Sequence, residues 1–478
     1  MSLQTTAPTK HDFRLGFEEP PAEVDVADLP VEGALPEWLT GSLVRVTPAK
    51  FEAGGTPLNH WFDGQAMLHA FGVDAGRVSY ANRWLRTKQL ESIERDGKLA
   101  YTEFGTDPCR SIFKRMALLF NPRAGITDNG VVNIVRLGEE HLAVTESPLP
   151  IRFDRETLET MGRPEWADEI PGLLTTAHPH GENGELINYA LELGVVNRCY
   201  RFYTLAPGGK PRQAAEMKVH EPAYVHSFGL TERFLVLGEF PYVVNPLDIV
   251  RSMVGKPFME HFRWEPDRGT RFHLFDRRTG RLERTFEAPP AFCFHHVNAF
   301  EDGDEVVVDA CVYDDPSIVE ALYLKRILAG DRGSASPPRL WRYRLDLASG
   351  SSWDEQLTDI PFELPRIDYA RRNGRPYRYT YGVSANDPGD WFNVLAKVDV
   401  SDGSFDLWHE PGCYPSEPVF VRDPGSDDED GGVALSVVLD SSSGRSFLLV
   451  LDAGTWQELA RAEAPQHVPF GFHGQFFR

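Results

Sequence analysis

The sequence predicts an all-β chain folded as a seven-bladed β-propeller, and three features carry that expectation. Strand-like runs bounded by Gly, Pro, Asn and Asp recur at short intervals from SLVRVTP (residues 42–48) to the C-terminus. One turn pattern repeats: an apolar residue, Asp, one to three residues, Gly, then another strand. It occurs as VDAGRV at Asp74, FDRRTGRL at Asp276, LDLASGSS at Asp346, VDVSDGSF at Asp399 and LDAGTW at Asp452. Asp supplies local side-chain bonding at such a turn and Gly supplies positive φ. The last three aspartates follow one another at equal intervals of 53 residues. A hairpin recurring at that interval points to four-stranded sheets repeated around an axis, rather than to unrelated hairpins in a sandwich. Third, 478 residues shared among seven blades leave about 68 each, room for a 40–50-residue blade and its loops.

In chain order, residues 1–40 are rich in Pro and acidic residues and read as an extended arm. Residues 41–478 read as one propeller domain. SIFKRMALLF (111–120) and NPLDIVRSMVGKPFMEHFRW (245–264) combine apolar and basic residues. They fit helices packed on the core, and equally a surface patch that makes peripheral contact with a membrane to collect a lipid-like substrate. DPSIVEALYLKRILAG (315–330) has helical spacing and an Asp start, which predicts a helix inserted between strands. RDPGSDDEDGG (422–432) reads as a solvated hairpin loop.

Composition narrows the partners. A formal net charge of −22 argues against nucleic acid, which calls for clustered Lys and Arg. The five cysteines, Cys109, Cys199, Cys293, Cys311 and Cys413, are scattered without CxxC spacing. That disfavours a disulfide scaffold or a zinc–thiolate site. The N-terminal MSLQTTAPTKHDF lacks the apolar core of a secretory signal, and no apolar run is long enough to span a bilayer. The expected location is cytoplasmic, with membrane contact at most peripheral.

Chemistry concentrates in histidines. PAFCFHHVNAF (290–300) is an apolar strand carrying His295 and His296. His178 lies in LLTTAHPHGENGELINYAL, His226 in PAYVHSFGLTERFLVLG and His473 in VPFGFHGQFF. A lone histidine in such a place is a core imidazole bonded to backbone. Four in four such settings suggest a metal held by imidazoles from separate strands. Their separations exclude a helical HExxH motif and fit ligands meeting on a propeller axis. An all-imidazole site suits zinc, copper, iron or nickel, and spacing does not choose among them. A ligating histidine usually donates its second ring N–H to a carboxylate. Glu146 in LAVTESPLP, Glu363 in PFELPRIDY and Glu417 in YPSEPVF stand in apolar or turn settings suited to that role.

FDGQAMLHAF, TAHPHGENGEL, FHHVNAFED, FELPRID, YPSEPVFV and the terminal GFHG together resemble the carotenoid cleavage oxygenase family. That family includes apocarotenoid oxygenases, lignostilbene dioxygenases and the vertebrate visual-cycle retinoid isomerase. The resemblance runs from about residue 35 to the C-terminus. It implies a seven-bladed propeller whose helical and loop insertions form a dome over an axial non-haem Fe(II). Its four iron ligands match His178, His226, His295 and His473, and its three supporting glutamates match Glu146, Glu363 and Glu417. In the HPH and FHH patterns the first histidine is the ligand, so His180 and His296 are set aside, and His60 and His69, flanking the FDG turn, read as structural.

The implied activity is oxidative cleavage of a conjugated C=C bond of an apolar polyene by O2, giving two carbonyl products. Lignostilbene-type members carry Lys just before the first supporting Glu, where this chain has Thr145, a substrate-pocket candidate. That favours a carotenoid or apocarotenoid over a phenolic stilbene. Many members have Asn-Thr-Asn-Val where this chain has Asn129-Gly130-Val131-Val132, which leaves access to the open iron position in question. Stilbene cleavage, non-oxidative isomerisation and a catalytically silent binding propeller are the competing readings.

Overall fold

The computed structural model describes residues 12–108, 122–194, 197–246, 256–386 and 390–478. Seven antiparallel sheets of four or more strands are arranged as the blades of a propeller. Blade 5 shows the plan. Its strands run Phe292–Asp302, Glu305–Tyr313, Arg339–Asp346 and Ser352–Gln356, each paired with the next. Blades 2, 4 and 6 repeat this order with first strands Asn133–Leu137, Gly229–Leu230 and Glu363–Arg366. In blades 3 and 7 the first strand is broken in two. Leu174–Thr175 and His180–Glu182 both pair with Glu185–Leu193, and Cys413–Pro415 and Val419–Arg422 both pair with Gly432–Asp440.

Blade 1 closes the ring. Its first strand is the C-terminal Gly474–Phe477, paired with Gly41–Lys50, which pairs in turn with Gln65–Asp74. The N-terminal segment adds two further seams. Asp25–Val26 pairs with the outer strand of blade 1, and Val31–Gly33 with the outer strand Glu458–Glu463 of blade 7.

Alternating strands bury one face against each neighbouring blade, so the core is divided into wedges. Phe234, Val236 and Leu274 of blade 4 meet Val306, Val308 and Tyr343 of blade 5. Leu43, Phe71 and Val78 of blade 1 meet Leu435, Leu448 and Val450 of blade 7.

The recurring aspartates all close the hairpin between the third and fourth strands of a blade. In four of them the carbonyl of the Asp accepts from the N–H four residues on: Gly280, Gly350, Gly403 and Trp456. That fourth residue is left-handed, with φ of 69°, 79°, 74° and 57°. In LDAGTW the left-handed position is therefore Trp456 and not the Gly454 that the pattern picks out. Asp154 makes the same turn in blade 2, with Leu158 at φ 58°.

Residues 315–330 form two short helices, Ser317–Ala321 and Leu324–Ala329, rather than one. The break at Tyr323, with φ −65° and ψ 130°, is extended. Tyr323 there bridges to His60. Asp315 accepts from the Ser317 N–H at 2.8 Å, but it lies one residue ahead of the helix cap, which is Pro316. The acidic 422–432 loop is a hairpin, but it is anchored. Glu429 accepts from the N–H groups of Arg378 and Tyr379 at 2.6 and 2.9 Å, and Asp430 from Lys397 at 2.7 Å, binding blade 7 to blade 6.

Residues 111–120 lie outside the described residues, as do 247–255 of the second apolar stretch. The described end of that stretch is a short helix, Phe258–His261, and a strand, Phe262–Trp264, whose Met259 and Phe262 are buried. Among the described residues no helix is long and apolar enough to cross a membrane. Cys199, Cys293, Cys311 and Cys413 are buried free thiols.

Candidate metal centre

Every blade sends one side chain to the axis, and each sits where the ladder of the surrounding strands is interrupted. His178 lies in the gap of blade 3 between Thr175 and His180, and Glu417 in the gap of blade 7 between Pro415 and Val419. His226 precedes the short first strand of blade 4, His473 precedes the closing strand of blade 1, and Glu146 follows Glu140–Val144 of blade 2. His295 stands at a register shift within blade 5, and Glu363 opens a first strand of blade 6 that is also shifted. Such irregularities re-aim a side chain that a regular pleat would send into a wedge. Leu364, next to Glu363, is held at φ 50°, a strained position for a branched side chain.

The four imidazoles His178, His226, His295 and His473 converge, with one ring nitrogen from each within 4.8 Å of the others. Nε2 of His178 lies 3.1 Å from Nε2 of His226, and Nε2 of His295 lies 3.2 Å from Nε2 of His473. Two imidazoles bound at right angles to one cation at about 2.1 Å would place their nitrogens about 3 Å apart.

The glutamates fix which nitrogen faces inward. Nδ1–H of His226 donates to Glu146 at 2.6 Å, that of His295 to Glu363 at 2.6 Å, and that of His473 to Glu417 at 2.7 Å. Each carboxylate accepts elsewhere as well. Tyr224 donates its hydroxyl to Glu146 at 2.6 Å, and Tyr313 donates to Glu363 at 3.1 Å. Leu364 N–H also donates to Glu363, and Gly474 N–H to Glu417. With Nδ1 protonated, Nε2 of His295 and of His473 both present lone pairs. Two lone pairs 3.2 Å apart repel unless a cation lies between them. The donor set therefore fits a metal ion: neutral imidazole nitrogens, oriented by carboxylates that offset its charge.

Electrostatics agree. Burial, and then the neighbouring imidazoles, hold His178 and His473 well below the ordinary histidine pKa. Burial also lowers His226, against the pull of Glu146. Glu417 is raised by burial, while Arg366 and Arg45 draw it back. The buried phenols of Tyr224 and Tyr313 are pushed far up by desolvation and by their glutamates, so they remain donors.

An apolar chamber of about 50 Å³ opens beside three of the rings, His226, His295 and His473. Trp61 and Phe62 of a blade 1 insertion, Ile318 of the first blade 5 helix, Leu322 just after it, Phe294 and Phe392 line it. Val132 of the Asn-Gly-Val-Val segment and Tyr313 line it too. Thr145 is half-buried beside Glu146 and is not among the lining residues.

The four histidines set aside from the sequence, His60, His69, His180 and His296, have partners away from the axis. His60 accepts from Phe62 N–H and donates to the Val319 carbonyl, and His69 bonds the hydroxyls of Thr47 and Tyr80. His180 bonds Tyr369 and the Phe228 carbonyl, and His296 bonds Ser227. Sequence reasoning passed over Tyr224, Tyr313, Arg45 and Arg366. Of these only Arg45 left a signal, a cation inside the apolar strand LVRV.

Comparison with known proteins agrees with this architecture. The sequence model of the retinal pigment epithelial membrane protein family (RPE65) matches residues 17–478. The mitochondrial carotenoid-cleaving dioxygenase of Mustela putorius furo is 34% identical over 510 residues, covering 94% of each chain. The β,β-carotene 15,15′-dioxygenase of Rattus norvegicus is 32% identical, covering 93% of this chain and 88% of the relative. The crystal structure of cobalt-substituted Synechocystis apocarotenoid oxygenase superposes with a TM-score of 0.86 at 27% identity, covering 98% of both chains.

Proposed function

The chain belongs to the carotenoid oxygenase family, and on that premise we propose that it is an Fe(II)-dependent dioxygenase. It cleaves one conjugated double bond of a carotenoid or apocarotenoid with O2. The two oxygen atoms end on the two carbons of the broken bond, as two carbonyl products. The observation that carries the metal reading is the pair of facing Nε2 lone pairs of His295 and His473, 3.2 Å apart. In this reading His178, His226, His295 and His473 bind the iron, while Glu146, Glu363 and Glu417 hold three of the rings in the ligating tautomer.

Bound Fe(II), held by His178, His226, His295 and His473, would supply the activation of O2. The protein's part is positioning. No general base is called for; the chamber, at about 50 Å³, takes only the reacting segment of the polyene, and its apolar walls would hold that segment and keep water from the reacting bond. Phe62, Phe294 and Phe392 stand where they decide which double bond lies beside the imidazoles. Val132 leaves that access lined by hydrocarbon.

The test is incubation of iron-loaded protein with a β-apocarotenal in air. The long-wavelength polyene absorbance should fall while a shorter aldehyde appears by mass. Iron-replete protein that leaves carotenoids and apocarotenals intact would contradict the proposal.

A further inference from the structure

The four imidazoles are not supported alike. His226 and His295 sit in the middle of the chain, and each glutamate behind them is bonded by a tyrosine. His473 lies five residues from the last one, ahead of a strand whose ladder has only four residue pairs. Among the described residues no tyrosine hydrogen-bonds Glu417 behind it. Two guanidiniums occupy that region instead.

Arg45 is 1% exposed and lies opposite Gly474 in the closing ladder. It donates to the Phe472 carbonyl at 3.3 Å and to the Glu417 carbonyl at 3.1 Å, and stands 3.8 Å from the Glu417 carboxylate. Arg366, from the first strand of blade 6, donates to the Gly474 carbonyl and lies 3.6 Å from the same carboxylate. The carbonyls before and after His473 are thus each held by a different arginine. Gly474 makes room for this. A Cβ there would fall 2.5 Å from Arg45 Cγ and 2.8 Å from the Val44 carbonyl, and its N–H donates to Glu417 at 3.0 Å.

We propose that Arg45 and Arg366 are positioning residues for the metal centre, which hold the carbonyls of the residues on either side of His473 and couple closure of the ring to placement of the fourth imidazole. The inference rests on the metal reading above, but its failure is separable. The guanidinium is suited to the task because the rigid planar fork of Arg45 holds two carbonyls in fixed directions, whereas the three rotatable donors of a lysine ammonium impose no such geometry.

The experiment titrates metal-free protein with Co2+, reading affinity by calorimetry and ligand number by the visible absorption of the bound ion. Arg45→Met keeps the length and loses the donors. It should bind Co2+ about 10–100-fold more weakly, as for loss of other groups that orient ligands, with an absorption spectrum altered by a missing imidazole. Arg45→Lys should recover only part of the loss. Arg366→Gln, at a partly exposed position, should shift affinity and spectrum the same way and carries the test if Arg45→Met does not fold. Arg342→Met serves as the control. It breaks a buried ion pair with Asp309 within blade 5 and should lower stability while leaving the Co2+ affinity and spectrum unchanged. Wild-type affinity and spectrum in both Arg45→Met and Arg366→Gln would overturn the clamp alone. A wild-type chain that takes up no Co2+ would overturn the metal reading and the clamp with it.

Discussion

At the scale of residues, the site is a set of decisions about protons. The histidines and glutamates stood out in the sequence because His and Glu inside apolar strands are costly without partners, but the choice of His178 over His180 and of His295 over His296 came from the family resemblance. The tyrosines could not, since a buried Tyr in a propeller wedge and a buried Tyr donating to Glu146 or Glu363 leave the same mark in the sequence. The histidines away from the axis carry their own consequence. Burial lowers His60 and His69 to about 3. The folded protein keeps them neutral while the unfolded chain protonates them below about 6.5. Their contribution is therefore complete above pH 6.5 and is lost as the pH falls from there towards 3, by about 1.4 kcal/mol per pH unit for each ring. Asp63, raised by burial to about 6, acts in the opposite sense between its ordinary value and 6, so the test is a difference. Urea unfolding of His69→Gln between pH 4.5 and 6.5 should show a slope shallower than the wild type by one proton. An unchanged slope would show that His69 is not neutral in the folded state.

At the scale of elements, the turns were the most legible part of the chain. Asp followed by Gly marked the third hairpin of five blades because the side chain caps the turn and one residue must be left-handed. Blade 2 escaped notice because Leu158 fills the left-handed position without glycine. Blade 3 escaped because its turn, Ala206-Pro207-Gly208-Gly209, has no Asp. The helix expected over 315–330 is broken because Tyr323 is drawn into a bridge with His60, a contact between distant residues that local periodicity does not encode. The glycines should differ in a predictable order. Gly76 has φ 76° and open space around it, so Gly76→Ala carries only backbone strain, on the order of 1 kcal/mol. Gly403 has φ 74°, and its Cβ would sit 2.2 Å from the Leu357 carbonyl. Gly403→Ala should therefore cost about 2–3 kcal/mol, since strain and steric clash both act. Equal unfolding midpoints for the two variants would refute this account of the turn.

At the scale of the whole molecule, seven blades place seven side chains on one axis, and the ring is held shut by its termini. The equal spacing of aspartates indicated repetition, but not which strand completes blade 1, because that pairing joins residues more than 400 positions apart. Deleting residues 474–478 removes the closing strand, including the buried Phe477 and the partly buried Phe476. Loss of one buried Phe alone costs about 3–5 kcal/mol. The shortened chain should unfold at a clearly lower temperature and bind metal poorly. An unchanged melting temperature would mean that the ring does not depend on this seam.

The most direct measurement is X-ray absorption at the iron edge of the loaded protein, read for the number and kind of atoms bound. Four imidazole nitrogens at about 2.1 Å, falling to three in His473→Ala, are the predicted result. A first shell containing carboxylate oxygens in place of these nitrogens, or one unchanged in His473→Ala, would contradict the claim that the four axial histidines hold the metal.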